Sequence, residues 1–124
     1  MRTFFTLLEG VRFEFFDPGE GIPTSAIVRG VAREQRFARQ TSEYWPVACH
    51  LVVTAGILEQ LGRPRLEVVA GAVHDVEESL LGDVPTPLKA ILRIALPSGE
   101  VVGYEEGIGR PTRAKCIDAL KLPP

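Results

Sequence analysis

The sequence predicts a mostly α-helical domain, a compact helical bundle with a short β-hairpin at its N-terminus. Apolar residues recur at helical spacing along most of the chain, whereas segment 2–16 alternates in the manner of strands. Prolines or a serine stand where the helical stretches begin, and glycines stand where several of them end. With 124 residues, the chain is long enough for a single domain, 1–124, with its own apolar core.

The N-terminal elements are predicted from turn signals. Glu9-Gly10 separates two apolar, aromatic-rich halves of segment 2–16, as in a β-hairpin. Residues 17–21 read Asp-Pro-Gly-Glu-Gly and predict a loop. A first helix is expected from Ser25, as its N-cap, to about Phe37.

The remaining elements are predicted from prolines that begin helices and glycines that end them. A second helix is expected from Pro46 to Leu61, before Gly62, and a third from Pro64 to Leu81, before Gly82. The later predictions, in chain order, are a short helix from Thr86 to Ile94, a turn at Pro97-Ser98-Gly99, and a last helix from Pro111 or Thr112 to about Leu120, ended by Pro123-Pro124.

The composition limits which kinds of binding partner and environment are expected for the protein. The net charge is −2 and no dense basic run occurs, which argues against a nucleic-acid polymer. The longest apolar runs are too short to span a bilayer. Cys49 and Cys116 form no Cys-x-x-Cys pair, and we interpret them as two buried thiols of a reduced, cytoplasmic protein. The sequence leaves open whether the chain forms a homo-oligomer.

One helical stretch carries several groups able to bind a metal or move a proton: His74, Asp75, Glu78 and Asp83. Polar groups on such an apolar helix are costly to bury without partners, and a divalent cation would be one such partner. The chain's other histidine, His50, falls on the apolar face of the preceding helix. A helical wheel directs Glu78 towards a metal held by the His-Asp pair and Glu77 away from it, so a change of Glu77 is expected to affect turnover little.

The pattern resembles the HD-domain metal-dependent phosphohydrolases, which carry a histidine on one helix, a His-Asp pair on the next and an aspartate on a later helix. Stretch 74–89 reads HDVEESLLGDVPTPLK, similar to the segment His-Asp-Ala-x-Glu-x-x-x-Gly-Asp-x-Pro-x-Pro-x-Lys of phage and bacterial relatives of 5′-deoxynucleotidases. Arg36-Phe37 and the stretch from Trp45 to His50 match the upstream part of that branch. The chain departs from the branch at Pro46 and Leu51, and its part after the His-Asp pair is shorter.

The resemblance implies a site and assigns roles within it. One divalent transition metal (Mn, Co, Fe, Ni or Zn) would have the ligands His50, His74, Asp75 and Asp118. Glu78 would be the general acid or base, and Arg36 would hold the phosphate. Asp83 either orients water or substrate or caps the following turn, and Lys89 either binds phosphate or is solvated. Phe37 and Trp45 either flank a base or only pack.

The implied activity is hydrolysis of the innermost phosphate ester of a deoxynucleoside monophosphate or triphosphate, with a preference for 2′-deoxyribose. Both reactions break the bond at the innermost phosphorus and would use the same site residues. The sequence therefore does not distinguish a 5′-nucleotidase from a triphosphohydrolase. The alternative is a non-catalytic, nucleotide-binding or regulatory HD-domain protein, which the shortened C-terminal part would favour.

Overall fold

The computed structural model describes residues 3–17 and 21–121, and most of these residues are helical. The helices are α1 Thr24–Arg33, α2 Val47–Gln60, α3 Arg65–Val73, α4 Glu78–Leu81, α5 Thr86–Ile91 and α6 Arg110–Ala119, with a π-helical segment, Glu105–Gly109, before α6. The strands are β1 Phe4–Thr6, β2 Arg12–Glu14, β3 Arg93–Ala95 and β4 Val101–Gly103. The predicted mostly α class with an N-terminal hairpin is confirmed. No helix in the described part of the chain has the length and apolar character needed to cross a membrane.

The N-terminal hairpin forms as predicted. β1 pairs antiparallel with β2, Phe5 lies opposite Phe13, and Gly10 takes a positive φ of 83° in the turn between them. The rings of Phe5, Phe13 and Phe15 pack with centroids 4.9 to 5.9 Å apart. This aromatic cluster gives the hairpin an apolar face to lay on the helices.

The core lies between the hairpin, α1, the turn at residues 74–77 and α6. Its buried members are Leu7, Phe13, Ile22, Ala26, Ile27, Val76 and Cys116. Lys115 on α6 stabilises this arrangement, because its Nζ donates hydrogen bonds to the carbonyls of Glu14, at the end of β2, and of Phe15 and Asp17 just after it. The hairpin and the last helix are thereby held together across the core.

The first helix differs from its prediction at both ends. Pro23, rather than Ser25, is the N-cap, and the Ser25 hydroxyl instead donates to Glu9 in the hairpin turn. The helix ends at Arg33, because Glu34 is extended, with φ −76° and ψ 125°. It cannot resume before Phe37, since Phe37, Ala38 and Arg39 all have positive φ, between 50° and 68°.

The third predicted helix is interrupted. α3 ends at Val73, residues 74–77 form a turn, and α4 follows. The His74 side chain accounts for the break, since its Nδ1 bonds the carbonyl of Gly71 at 2.6 Å, the acceptor that the Asp75 N–H would otherwise use. Gly82, with a φ of 81°, ends α4 as predicted.

Two further predictions are corrected in the second half. The helix expected to reach Ile94 ends at Ile91, and Ile94 lies in β3, which pairs antiparallel with β4 around the predicted turn at Gly99. Cys49 is exposed on α2, whereas Cys116 is buried as expected. The last helix begins and ends within about one residue of its prediction. The predicted loop at residues 18–20 and the Pro123-Pro124 stop lie outside the described residues.

The contact between the hairpin turn and α1 gives a pH-dependent prediction. Arg29 donates to both carboxylate oxygens of Glu9, at 2.6 and 3.1 Å, and with Ser25 it lowers the pKa of Glu9 from 4.5 to about 2. A carboxyl whose pKa is lowered on folding stabilises the protein above its unfolded-state pKa and loses that effect as pH falls through the folded-state pKa.

We therefore expect Glu9→Gln to flatten the decline in the free energy of unfolding between pH 4.5 and pH 2. Urea unfolding at a series of pH values measures it, with Glu59→Gln, an exposed position on α2, as the control. Parallel curves for wild type and Glu9→Gln over that range would contradict the prediction.

Candidate functional site

Three of the predicted metal ligands come together where α2 faces the turn after α3. The Nε2 atoms of His50 and His74 are 3.0 Å apart, and Oδ2 of Asp75 lies 3.3 Å from the first and 3.0 Å from the second. The ligand atoms of these three side chains all lie within 4.8 Å of one another. Among residues 3–17 and 21–121, no other group of three or more His, Cys, Asp or Glu residues meets this criterion.

The orientation of His74 follows from the helix break. Because the Gly71 carbonyl can only accept, Nδ1 of His74 carries the hydrogen and Nε2 presents its lone pair to the cluster. Gly71 also lets α3 approach α2 closely, since a Cβ there would lie 2.5 Å from Cδ1 of Leu58. Gly71 thus orients one ligand and allows the close packing of α2, which carries His50, against α3, which His74 directly follows.

His50 is held from its other side by Arg36. The Arg36 Nη1 lies 3.0 Å from Nδ1 of His50, and since a guanidinium only donates, this ring nitrogen accepts. Burial, followed by the positive charge of Arg36, lowers the pKa of His50 and favours the neutral imidazole that a metal ligand requires. If Nε2 is to bind a metal with its lone pair, Arg36 must release Nδ1, which would free the guanidinium for another acceptor.

The spacing and chemistry of the three ligand atoms fit a transition metal. Adjacent ligands in an octahedron with bonds of about 2.1 Å lie about 3.0 Å apart. The separations of 3.0, 3.0 and 3.3 Å match one face of such an octahedron. Two imidazoles and a carboxylate suit Mn, Fe, Co, Ni or Zn better than Ca or Mg.

The expected fourth ligand, Asp118, is not brought to this cluster. Thr112 and Cys116 are buried and define the inward face of α6, whereas Asp118 falls on its exposed face. The residue that α6 directs towards the 74–77 turn is Arg113, which pairs with Glu77. The ligand role that the resemblance implies for Asp118 is therefore not supported here, because the buried residues of α6 and the Arg113–Glu77 pair orient that helix with Asp118 outward.

A pocket of about 370 Å³ opens beside Asp75. The charged side chains that line it are Arg36, Asp75, Glu78, Asp83 and Lys89. Its remaining lining residues are Phe37, Val84, Pro85, Thr86 and Pro87. A concave site with an apolar wall and a few convergent charged groups suits a small, charged ligand with an apolar part.

Glu78 is the buried carboxyl of this pocket. It is 6% exposed, and burial, with smaller effects of Asp75 and Asp83, raises its pKa to about 8. A raised pKa favours the protonated carboxyl, which is the form that a general acid requires.

Glu77 is not among the residues that line the pocket, and it is buried rather than exposed. Its carboxylate is 2% exposed and accepts two hydrogen bonds from Arg113, at 2.6 and 3.0 Å. Glu77 is thus a buried partner in an ion pair, and a change there acts first on the stability of the fold. This pair could not be predicted from the sequence, because Arg113 lies on α6, 36 residues away.

Asp83 contacts two segments that the sequence did not connect with it. Its N–H donates to Oε1 of Glu34 at 2.9 Å, and its Oδ2 accepts from the Ala38 N–H at 3.4 Å. These bonds direct its carboxylate to the pocket beside the left-handed segment Phe37–Arg39. Glu34 is a positioning residue that sequence reasoning missed, since an acidic residue at a helix end carries no distinguishing signal.

The three remaining predicted residues differ in where they lie. Phe37 lines the pocket with 54% of its surface exposed, beneath the Arg36 guanidinium at 4.5 Å. Lys89 lines the pocket and reaches Glu105 at 3.6 Å. Trp45 is not among the lining residues, and its contact with the site is a backbone one, because its carbonyl accepts the Arg36 N–H at 3.0 Å.

Comparison with known proteins adds no assignment. No protein-family model matches this chain, and no curated protein matches it. The resemblance to HD-domain phosphohydrolases therefore stays a prediction.

Proposed function

We propose that this protein is a metal-dependent phosphohydrolase that cleaves the innermost phosphate ester of a deoxynucleoside monophosphate or triphosphate. The observation that carries the proposal is that Asp75, one member of the cluster with His50 and His74, lines a pocket that also holds two cationic side chains. Cations bind a phosphate, and a buried proton-carrying carboxyl beside them can assist departure of an alcohol.

His50, His74 and Asp75 would hold the metal, which when bound supplies a Lewis acid that activates water and offsets charge developing on the phosphate. Arg36 would bind phosphate oxygens through its planar fork, and Lys89 would add a second positive charge. Glu78 would give its proton to the leaving nucleoside oxygen. The Asp83 carboxylate would accept a hydrogen bond from water or from the sugar, and Phe37 with the two prolines would pack on the base.

One observation favours a second candidate, a nucleotide-binding protein without turnover. With Asp118 on the exposed face of α6, the cluster has three protein ligands rather than the four that the family pattern implies. Such a protein would bind the same ligands in the same pocket, so only a reaction product distinguishes the two candidates.

A release screen tests the proposal. Phosphate, pyrophosphate and triphosphate are measured over deoxy and ribo forms of nucleoside mono- and triphosphates, with added Mn or Co. We expect metal-dependent release from deoxynucleotides, absent in Asp75→Asn. Nucleotide binding without release would favour the second candidate, and the absence of both binding and release would contradict the pocket assignment.

The role of Arg36 gives a separate prediction. We expect Arg36→Ala to lower kcat/KM for nucleotides about ten- to a hundredfold, because a charged contact to phosphate is worth about 1.5–3 kcal/mol. Manganese affinity should not fall, since the guanidinium donates to His50 and is not a metal ligand. Steady-state kinetics and isothermal titration with Mn measure the two effects.

Arg39→Ala is the matched control, because Arg39 lies in the same turn but is exposed and does not line the pocket. Equal kinetics for the Arg36 and Arg39 variants would remove Arg36 from the site.

A further inference from the structure

The hydrogen bonds around His50 determine which of its ring nitrogens carries the hydrogen. At Nδ1 the neighbour is the Arg36 guanidinium, 3.0 Å away, which has donors and no acceptor, so Nδ1 must accept. A neutral imidazole has one ring N–H, which is therefore on Nε2. There it faces two acceptors, Nε2 of His74 at 3.0 Å and Oδ2 of Asp75 at 3.3 Å. Both nitrogens of His50 thus have partners of the complementary kind.

This arrangement is the reverse of the one that a metal ligand needs. A histidine that binds a metal through Nε2 has its lone pair there and usually donates its Nδ1–H to an acceptor. His74 already has this form, with its Nδ1 bonded to the Gly71 carbonyl at 2.6 Å. His50 has the Arg36 donor at the corresponding position instead. Metal binding therefore requires His50 to exchange its Nε2 hydrogen with water for one on Nδ1, and the ring is neutral before and after.

The change at His50 deprives Arg36 of its acceptor. Among the residues that the structure describes, no ion pair joins Arg36 to a carboxylate. Its guanidinium lines the pocket, and once Nδ1 carries a hydrogen it must find another acceptor there. Phosphate oxygens match the planar fork of a guanidinium.

We propose that Arg36 alternates between two acceptors, Nδ1 of His50 and a phosphate in the pocket, and thereby couples the binding of metal to the binding of phosphate. While Arg36 bonds Nδ1, it stabilises the tautomer of His50 that cannot bind a metal. A phosphate that binds the guanidinium removes this competition, and a metal that fixes the other tautomer releases the guanidinium. Such coupling is reciprocal, so each ligand raises the affinity for the other. The inference rests on the metal site of the proposed function but not on turnover.

Nuclear magnetic resonance of the full chain labelled with ¹⁵N-histidine tests the tautomers directly. The chain has two histidines, so two ring patterns are observed, and His50→Gln assigns them. At about pH 8, where an ordinary imidazole is neutral, we expect the metal-free protein to have its hydrogen on Nε2 in His50 and on Nδ1 in His74. After addition of one equivalent of zinc, which is diamagnetic, both rings should carry the hydrogen on Nδ1.

Manganese affinity, measured by isothermal titration, tests the part that Arg36 plays. We expect Arg36→Met to raise it about tenfold, because one charge-assisted hydrogen bond no longer opposes the ligand tautomer. Lys89→Met is the matched control, since it removes a positive charge from the same pocket without a bond to His50. Inorganic phosphate should raise manganese affinity more in wild type than in Arg36→Met, where only a direct contact between ion and phosphate remains.

The outcomes separate this inference from the proposed metal site. A hydrogen on Nδ1 of both rings before zinc is added would overturn the inference and leave the metal site standing. The same holds for equal manganese affinities in Arg36→Met and Lys89→Met, or for an equal effect of phosphate in wild type and Arg36→Met. Histidine spectra that zinc does not change would overturn both the inference and the metal site.

Discussion

Replacing Glu78 by glutamine is expected to lower kcat about 10²- to 10⁴-fold, the usual contribution of a general acid or base. The glutamine amide has nearly the shape of the carboxyl but cannot give a proton to the leaving oxygen. Glu78 is not among the three clustered ligand atoms, so manganese affinity is expected to change little. Single-turnover kinetics and metal titration on the same protein measure the two quantities.

Glu100→Gln, in the exposed turn between β3 and β4, is the control for that change. Two results would contradict the assignment of Glu78. One is turnover at the wild-type rate, and the other is a loss of activity that is fully explained by a loss of metal.

Arg113→Met is expected to lower the free energy of unfolding by about 3 kcal/mol, the effect of removing one partner from a buried ion pair. The change would leave the Glu77 carboxylate, which is 2% exposed, without the guanidinium that donates to both of its oxygens. Glu105, whose Oε2 lies 3.5 Å from the same guanidinium, loses a weaker contact.

Urea unfolding measures this effect, with Arg110→Met as the control, because Arg110 begins the same helix and is exposed. Combining Arg113→Met with Glu77→Gln should recover part of the loss, since the second change removes the charge that the first leaves unpaired. If Arg113→Met and Arg110→Met were equally stable, the buried pair would contribute nothing to the fold.

The elements that the sequence predicts well have their signals within a few residues. Glu9-Gly10 marks the hairpin turn, Pro46 and Gly62 bracket α2, and Gly82 ends α4 because it alone can take the positive φ there without cost. The second hairpin was missed because β3 and β4, with the sequences Arg-Ile-Ala and Val-Val-Gly, lack the aromatic residues that mark the first hairpin.

The features that sequence reasoning missed depend on contacts between distant segments. In the left-handed segment Phe37–Arg39, the Ala38 N–H donates a hydrogen bond to Asp83, a residue 45 positions later in the chain. Likewise, the inward face of α6 follows from the burial of Thr112 and Cys116, and no local signal near Asp118 reveals which side of that helix is exposed. The break after α3 depends on a local contact, the bond from His74 to the Gly71 carbonyl. It was still missed, because hydrophobic periodicity carries no information about side-chain bonds to the backbone.

The three clustered ligands could be named before the structure because the resemblance assigns His50, His74 and Asp75 to one metal, whereas a lone histidine on an apolar helix is weak evidence by itself. Their mutual distances are a product of the close α2–α3 packing at Gly71, which is visible only in three dimensions.

A crystal structure of the protein soaked in manganese tests the central claim most directly. We predict a single anomalous peak bound by Nε2 of His50, Nε2 of His74 and the carboxylate of Asp75, lost in crystals of Asp75→Asn. The absence of a peak between α2 and the 74–77 turn, or a peak bound without His74 and Asp75, would contradict the account.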